Sequence, residues 1–229
     1  MRGIAYGVGV GPGDPEYMTL KAVRLIREND VIAVPGKEPK ESAAYKIAAA
    51  AVPEIAGKEL VPVFMPMMKD RELIAREHQK AAKLLEGYLA RGKNVVCLTL
   101  GDPTIYSTFS YIQHILEADG YQAEFVSGIT SFCAAAARLS LPLAEWDEPL
   151  HVIPAVHKPE EELKQPGTYV LMKPAREIKT VKERLRRSRR RVVMVENCDM
   201  KQEKVYRGVD EIPDDVGDFS LIIAKQTDE

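Results

Sequence analysis

Three short segments carry residue types that could do chemistry. The first is Gly7-Val8-Gly9-Val10-Gly11-Pro12-Gly13-Asp14-Pro15. A stretch this rich in glycine turns sharply and lets a ligand approach the backbone with few side chains in the way. Its spacing excludes two phosphate loops. A GxGxxG pattern beginning at Gly7 needs glycine where Pro12 stands, and one beginning at Gly9 needs it where Asp14 stands. No Gly-Lys-Ser/Thr follows to make a P-loop. The second segment is Gly101-Asp102-Pro103-Thr104-Ile105-Tyr106-Ser107. Asp102 sets a carboxylate directly after a strongly apolar run. That carboxylate suits the hydroxyls and ammonium of a cationic ligand, and it equally suits a plain turn with Pro103. The third is Gly128-Ile129-Thr130-Ser131. Thr130 or Ser131 could cap a helix whose free N–H groups attract ligand acceptors; a plain cap is the alternative.

The elements that must position these segments alternate in kind. Ile4–Val10 reads as a strand running into the glycine turn. Thr19–Asn29 reads as a helix capped by Thr19, with Leu20, Val23 and Ile26 on one face. Val31–Val34 is a short apolar strand. Ser42 is expected to cap an alanine-rich helix, and Glu59–Phe64 is a third strand. Asp70 is expected to cap a long helix carrying Leu73, Ile74, Ala81, Leu84, Leu85 and Tyr88, with Gly92 in its terminal turn. Asn94–Leu100 has the continuous apolar character of a central parallel strand. A helix from Tyr106 to Asp119 stops at Gly120, and Ala123–Ser127 is a fifth strand. This order predicts an α/β fold whose first domain is a parallel five-stranded sheet with helices on both faces.

The second half reads differently. After a small-residue helix at Ser131–Leu139 and a proline-bounded connection come strands near Leu150–Pro154, Thr168–Met172, Arg191–Glu196 and Phe219–Ala224. A basic helix, Ile178–Arg190, lies among them. A second, smaller α/β domain with a mixed sheet is expected, giving domains 1–127 and 128–229.

Bulk properties set bounds. Of the 229 residues, 45% are hydrophobic and 29% charged, as in ordinary soluble domains. A net charge of -2 argues neither for nor against an anionic partner, so any anion site must be local. Cys97, Cys133 and Cys198 have no CxxC spacing and read as buried thiols of a reducing, cytoplasmic compartment. No signal peptide or membrane span is expected. His78, His114, His151 and His157 show no metal-ligand spacing, so no protein-bound metal is expected; His78 and His114 are read as half-exposed on helices. The run Lys182 to Arg191, with Arg184, Arg186, Arg187, Arg189 and Arg190, reads as a solvated helix face.

Taken together, GxGPGDP, LGDPxxY and GITS resemble the tetrapyrrole methylases, and the resemblance covers essentially the whole chain. Leu171-Met172-Lys173 and Val195-Glu196-Asn197-Cys198 add to it. Cys198 and the Lys173-Pro174 turn depart from the family pattern, which there favours glycine-like residues. The resemblance implies two α/β domains with S-adenosylmethionine bound in the cleft between them, and a homodimer. It implies cofactor contacts from Pro12, Leu100, Gly101, Asp102, Ile105, Thr130, Ser131, Met172 and Cys198, with Tyr106 beside the methyl donor. Leu141 to Glu145, Glu196 to Met200, Lys204 to Arg207 and Phe219 to Lys225 resemble the branch that methylates C20 of precorrin-2 or cobalt-precorrin-2. Any cobalt would then arrive inside the substrate.

Methyl transfer from a sulfonium is an in-line displacement, and alignment supplies much of the barrier reduction. A proton must then leave C20; Asp102, Tyr106, Glu145 or water could take it. The substrate is a polycarboxylate tetrapyrrole, for which Lys37, Lys173 and Arg176 are candidate partners. Neither nucleic acid nor membrane is expected as a partner. Two other readings stay open: a family relative that methylates another corrin carbon, ribosomal RNA or the diphthamide precursor, and a nucleotide-binding module without catalysis.

Overall fold

The structure is a computed structural model and describes residues 1–64, 70–155 and 162–226; His157 lies outside them. The chain divides into two compact units, Met1–Thr130 and Ser131–Glu229. The sequence boundary after residue 127 falls three residues earlier. Gly128 stays with the first unit because its backbone packs on Gly9 and Gly101.

In the first unit, β1 (Ile4–Gly9), α1 (Leu20–Glu28), β2 (Val31–Pro35), α2 (Ala43–Ala51), β3 (Glu59–Val63), α3 (Arg71–Leu89), β4 (Val95–Thr99), α4 (Phe109–Ala118) and β5 (Gln122–Val126) follow in order. The five strands form one parallel sheet in the order β3-β2-β4-β1-β5. Strand alternation gives the sheet two apolar faces. On one, Ala5, Val31, Ala33, Val61, Val63, Val95 and Cys97 pack with Ala81, Leu85 and Leu89 of α3 and Phe109, Ile112 and Leu116 of α4. On the other, Val8, Ile32, Val34, Val96 and Leu98 are also buried. There α2 packs on β2 and β4, and charges on α1, Arg24 and Glu28, act on Tyr6.

Gly7 has a packing reason. A Cβ there would lie 2.1 Å from the ring of Phe109, so its absence seats α4 on β1. The connections after neighbouring strands β1 and β4 therefore go to opposite faces. That is the topological switch point at which open parallel sheets leave a crevice at their carboxyl ends.

Several helix ends follow the sequence. Thr19 Oγ1 accepts the Ala22 N–H at 3.2 Å, and Asp70 Oδ1 accepts those of Glu72 and Leu73 at 3.0 and 3.1 Å. Other details differ. Ser42 makes no side-chain capping bond. The buried stripe of α1 is Ala22, Leu25 and Ile26, while Leu20 in its first turn is 87% exposed. Leu73 and Leu84 face outward, and His78, Ala82 and Leu89 fill the inner face of α3 instead. α4 begins at Phe109 rather than Tyr106, because Tyr106 has a left-handed backbone and Ser107 Oγ accepts the Phe109 N–H at 3.2 Å. His78 is buried against Tyr111, with ring centroids 5.0 Å apart, whereas His114 is exposed. Cys133 is exposed while Cys97 and Cys198 are buried.

The second unit holds α5 (Ser131–Arg138), β6 (Leu150–Pro154), β7 (Thr168–Met172), α6 (Ile178–Ser188), β8 (Arg191–Glu196), β9 (Lys204–Arg207) and β10 (Ser220–Lys225). Its sheet has the order β6-β7-β10-β8-β9 and is mixed: only β6 and β7 run parallel. β9 escapes the sequence reading because it is a four-residue, half-exposed edge strand with a charge at each end. Ile178, Val181 and Leu185 of α6 pack on Tyr169, Leu171, Met194 and Ile222.

The basic run is not simply a solvated face. Lys182 is buried and donates to Ile212 O at 2.5 Å and Asp214 at 2.6 Å, and Arg186 pairs with Asp210 at 2.8 Å. Arg190 lies over the Tyr169 ring and donates to the carbonyls of Leu163, Gln165 and Gly167. Three of the run's seven basic residues are thus engaged by partners within the second unit.

Candidate functional site

The carboxyl ends of β1, β4 and β5 bring the three sequence segments together. Val10 donates its N–H to Thr99 O at 2.9 Å, which carries the β1–β4 ladder one residue past β1. Gly11 and Gly101 then form an isolated antiparallel bridge, with N–H to carbonyl distances of 2.8 and 3.3 Å. Their φ values are +78° and +71°, a left-handed conformation open to glycine at no steric cost. Gly9 and Gly128 are glycine for want of space. A Cβ on Gly9 would meet Gly101 O at 2.5 Å, and one on Gly128 would meet the same oxygen at 2.2 Å. Three loops thus meet backbone to backbone.

Asp102 locks this junction. It is 8% exposed. Its Oδ1 accepts the Thr104 N–H at 2.7 Å and the Thr104 hydroxyl, and its Oδ2 accepts the Gly128 N–H at 2.9 Å. The loop after β4 is thereby tied to the loop after β5. Thr104 was legible only in hindsight: an Asp that accepts the N–H two residues on makes an Asx turn. Asp14 does the same with Glu16, and Thr19 Oγ1 donates to Ser127 O at 3.4 Å.

Around the junction, Pro12 is buried, while Leu100, Ile105 and Thr130 are half-buried. Tyr106 is 45% exposed with φ +47°. Non-glycine residues in this backbone region store strain that tends to gather at functional sites. The second unit repeats the pattern. Lys173, directly after Met172, has φ +56°, and Asn197 and Asp199 on either side of Cys198 have +53° and +57°. These are the turns where the family pattern favours glycine-like residues, and here non-glycine residues adopt a glycine-like backbone.

Register fixes which of the second unit's residues stand together. Met172 pairs with Leu221 and Glu196 with Ser220, so Met172 and the Asn197-Cys198 turn lie at one end of the sheet. Met172 and Ser131 are half-buried and Cys198 is buried. Glu145 is not with them. Its carboxylate pairs at 3.0 Å with Lys225, which also meets Glu148 at 3.1 Å. Lys225 pairs in register with Arg191 at the other end of the sheet, about 13 Å away at 3.3 Å per residue. Burial works against the Lys225 charge, but hydrogen bonds to Glu145 and Glu148 outweigh it and raise its pKa. Glu145 is therefore a surface ion-pair partner.

Cys198, Asp199 and Glu203 bring possible ligand atoms within 4.8 Å of one another. Those atoms already serve one another. The Cys198 thiol donates to Asp199 Oδ2 at 3.3 Å, the Asp199 N–H donates to Glu203, and Arg138 pairs with Glu203 at 2.9 Å. Burial first, and the Asp199 hydrogen bond second, push the thiol pKa up, away from the thiolate that metals bind.

Comparison with known proteins bears on this edge. The sequence profile of Tetrapyrrole (Corrin/Porphyrin) Methylases matches residues 5–211. A probable cobalt-precorrin-2 C(20)-methyltransferase of Methanocaldococcus jannaschii is 38% identical, over 96% of this chain and 95% of its own length. A cobalt-precorrin-2 C(20)-methyltransferase of Salmonella typhimurium is 30% identical, over 94% and 92%. Among solved structures, uroporphyrin-III C-methyltransferase of Thermus thermophilus complexed with S-adenosylhomocysteine superposes with a TM-score of 0.70 at 24% identity, covering 97% of both chains.

Proposed function

The chain belongs to the tetrapyrrole (corrin/porphyrin) methylases, and from that premise we propose that it transfers a methyl group from S-adenosylmethionine to C20 of precorrin-2 or cobalt-precorrin-2. The observation that carries the reading is full-length likeness to two relatives named for that one reaction, at 38% and 30% identity.

The candidate cofactor residues at the carboxyl ends of β1, β4 and β5 suit the cofactor chemically. Pro12, Leu100, Gly101, Asp102, Ile105, Tyr106 and Thr130 offer apolar surface, hydroxyls and one carboxylate, and no lysine or arginine. A set of this kind favours a ligand with cationic centres and disfavours one with phosphates. When bound, S-adenosylmethionine supplies an electrophilic methyl group on sulfur. Leu100 and Ile105 would flank its apolar parts. Asp102 keeps one further acceptor site, on Oδ2, beside its three bonds, enough for a hydroxyl or ammonium. Ser131, Met172 and Cys198, in the second unit, are assigned to the cofactor on resemblance alone.

Of the three side chains considered for the C20 proton, Asp102 is committed to the loop junction and Glu145 to Lys225. Tyr106 stands exposed at the carboxyl edge. We assign proton removal to water reaching that edge, with the Tyr106 hydroxyl orienting it. Among the described residues no helix is long and apolar enough to cross a membrane. A cytoplasmic homodimer completes the proposal, on likeness to the family.

The test is an anaerobic incubation with S-adenosylmethionine and precorrin-2, with and without cobalt, read by mass spectrometry and NMR. A gain of one methyl at C20 is expected. No gain with either substrate, despite cofactor binding, would defeat the substrate assignment.

A further inference from the structure

Two side chains at the carboxyl edge of the first unit belong to none of the three glycine segments. β2 ends at Pro35 and β3 at Val63, and these residues pair in register. Gly36, with φ +110°, donates its N–H to Val63 O at 2.9 Å, so the β2–β3 ladder runs one residue past Pro35 before the chain bends. The turn carries Lys37 Nζ over the Phe64 ring, 4.8 Å from its centroid. Lys37 is exposed and Phe64 is 41% exposed. Lys37 has no carboxylate partner among the described residues; nearby Glu41 is taken by Lys46 at 2.7 Å. An apolar disc and an unneutralised cation are therefore presented together to solvent, on the edge where this fold class binds ligands. A cation–π contact at an exposed site is weak. It orients the ammonium over the ring and leaves its charge un-neutralised.

We propose that Lys37 and Phe64 form a substrate-selecting corner: Phe64 packs against the tetrapyrrole ring and the Lys37 ammonium pairs with one of its peripheral carboxylates. This rests on the methyltransferase reading above and adds the residues that choose its substrate. β3 lies two strands from β4, so the corner stands about 10 Å from the Gly101-Asp102 loop at roughly 4.8 Å per strand. A macrocycle offered to a methyl donor at that loop spans the gap with its carboxylate arms. Because Lys37 has no carboxylate partner among the described residues, pairing with the substrate breaks no ion pair described there.

The experiment compares steady-state methylation of precorrin-2, or of cobalt-precorrin-2 where wild type turns over only that form, by wild type, Lys37→Met, Lys37→Arg and Phe64→Leu. Affinity for S-adenosylhomocysteine and thermal unfolding serve as controls for the cofactor site and folding. Lys37→Met is expected to raise KM about tenfold at low ionic strength with kcat held, the loss of one charge-assisted bond. Lys37→Arg should restore most of that loss, and added salt should raise the wild-type KM more steeply than that of Lys37→Met. Phe64→Leu should raise KM by a smaller factor. A wild-type KM in Lys37→Met at low salt would overturn the corner while leaving the methyltransferase reading intact. If wild type methylates neither precorrin-2 nor cobalt-precorrin-2, that reading falls, and equilibrium binding of uroporphyrin III decides the corner by itself. Weaker binding by Lys37→Met than by wild type supports it, and equal binding overturns it.

Discussion

Replacing Gly128 by alanine adds one methyl group at a place where backbone stands on every near side. The new carbon would lie 2.2 Å from Gly101 O and 2.9 Å from both the carbonyl carbon and Cα of Gly9. Carbon atoms pack comfortably at about 3.5–4.0 Å, so one loop must retreat by more than about 1 Å. Overpacking of this kind costs about 1–3 kcal/mol. The retreat also stretches the Gly128 N–H bond to Asp102 Oδ2, now 2.9 Å, and a bond to a charged acceptor contributes about 1.5–3 kcal/mol. The expected loss is therefore about 3–6 kcal/mol, a large part of the 5–15 kcal/mol typical of a domain. Gly57→Ala is the control: nothing lies within 4 Å of its Cβ position and its backbone is not left-handed. It should change stability by less than about 1 kcal/mol, in the stabilising direction. Urea unfolding reads the stability, and calorimetry with S-adenosylhomocysteine reads the site, where Gly128→Ala should also bind more weakly. If the two variants matched in both measurements, the three-loop junction would not exist as described.

Four other perturbations follow from the same structure. Asp102→Asn replaces one acceptor oxygen by a donor facing N–H groups; about 1–3 kcal/mol of stability and part of the S-adenosylhomocysteine affinity should be lost, and wild-type values in urea unfolding and calorimetry would remove Asp102 from the junction. Burial pushes the Cys97 thiol up to about 12, so the unfolded chain sheds that proton first as pH rises. Its contribution to stability is complete below the ordinary cysteine value of about 8.5 and declines from there toward about 12; the decline should appear in urea midpoints measured across that range and be shallower in Cys97→Ala, where the raised Cys198 thiol still contributes. In the native protein, iodoacetamide mapped by mass spectrometry should label exposed Cys133 well before Cys97. Glu145→Gln should leave turnover of precorrin-2 intact and lower stability by less than about 1 kcal/mol, since Lys225 keeps Glu148 and Pro142 O; a large fall in kcat would return Glu145 to the mechanism.

Much of the architecture is legible in the chain itself. Continuous apolar runs such as Val95 to Thr99 mark strands buried on both faces, and the βαβ order makes their sheet parallel. Thr19 and Asp70 announce helix starts because a cap is a local bond within three residues. The readings that fail do so where the competing partner is distant. Leu20 looks like a core residue of α1, yet the sheet lies against Ala22, Leu25 and Ile26. Lys182 and Arg190 look like solvated charge, yet Asp214 and the carbonyls of residues 163 to 167 wait for them across the fold.

The candidate site divides in the same way. Spacing alone excludes a phosphate loop, marks Gly101-Asp102 as the end of a buried strand, and carries the likeness to a methylase family. Only the tertiary structure tells the glycines apart: Gly7 clears the Phe109 ring, Gly11 and Gly101 take positive φ, and Gly9 and Gly128 admit a neighbouring backbone. It also turns Asp102 toward Gly128, and it separates Glu145 from Met172 by the length of a strand. The physical reason is that conformation is set by neighbours along the chain, whereas proximity between loops is set by the strand order β4-β1-β5 and by register. Order and register are outcomes of packing the whole sheet, and no single segment encodes them.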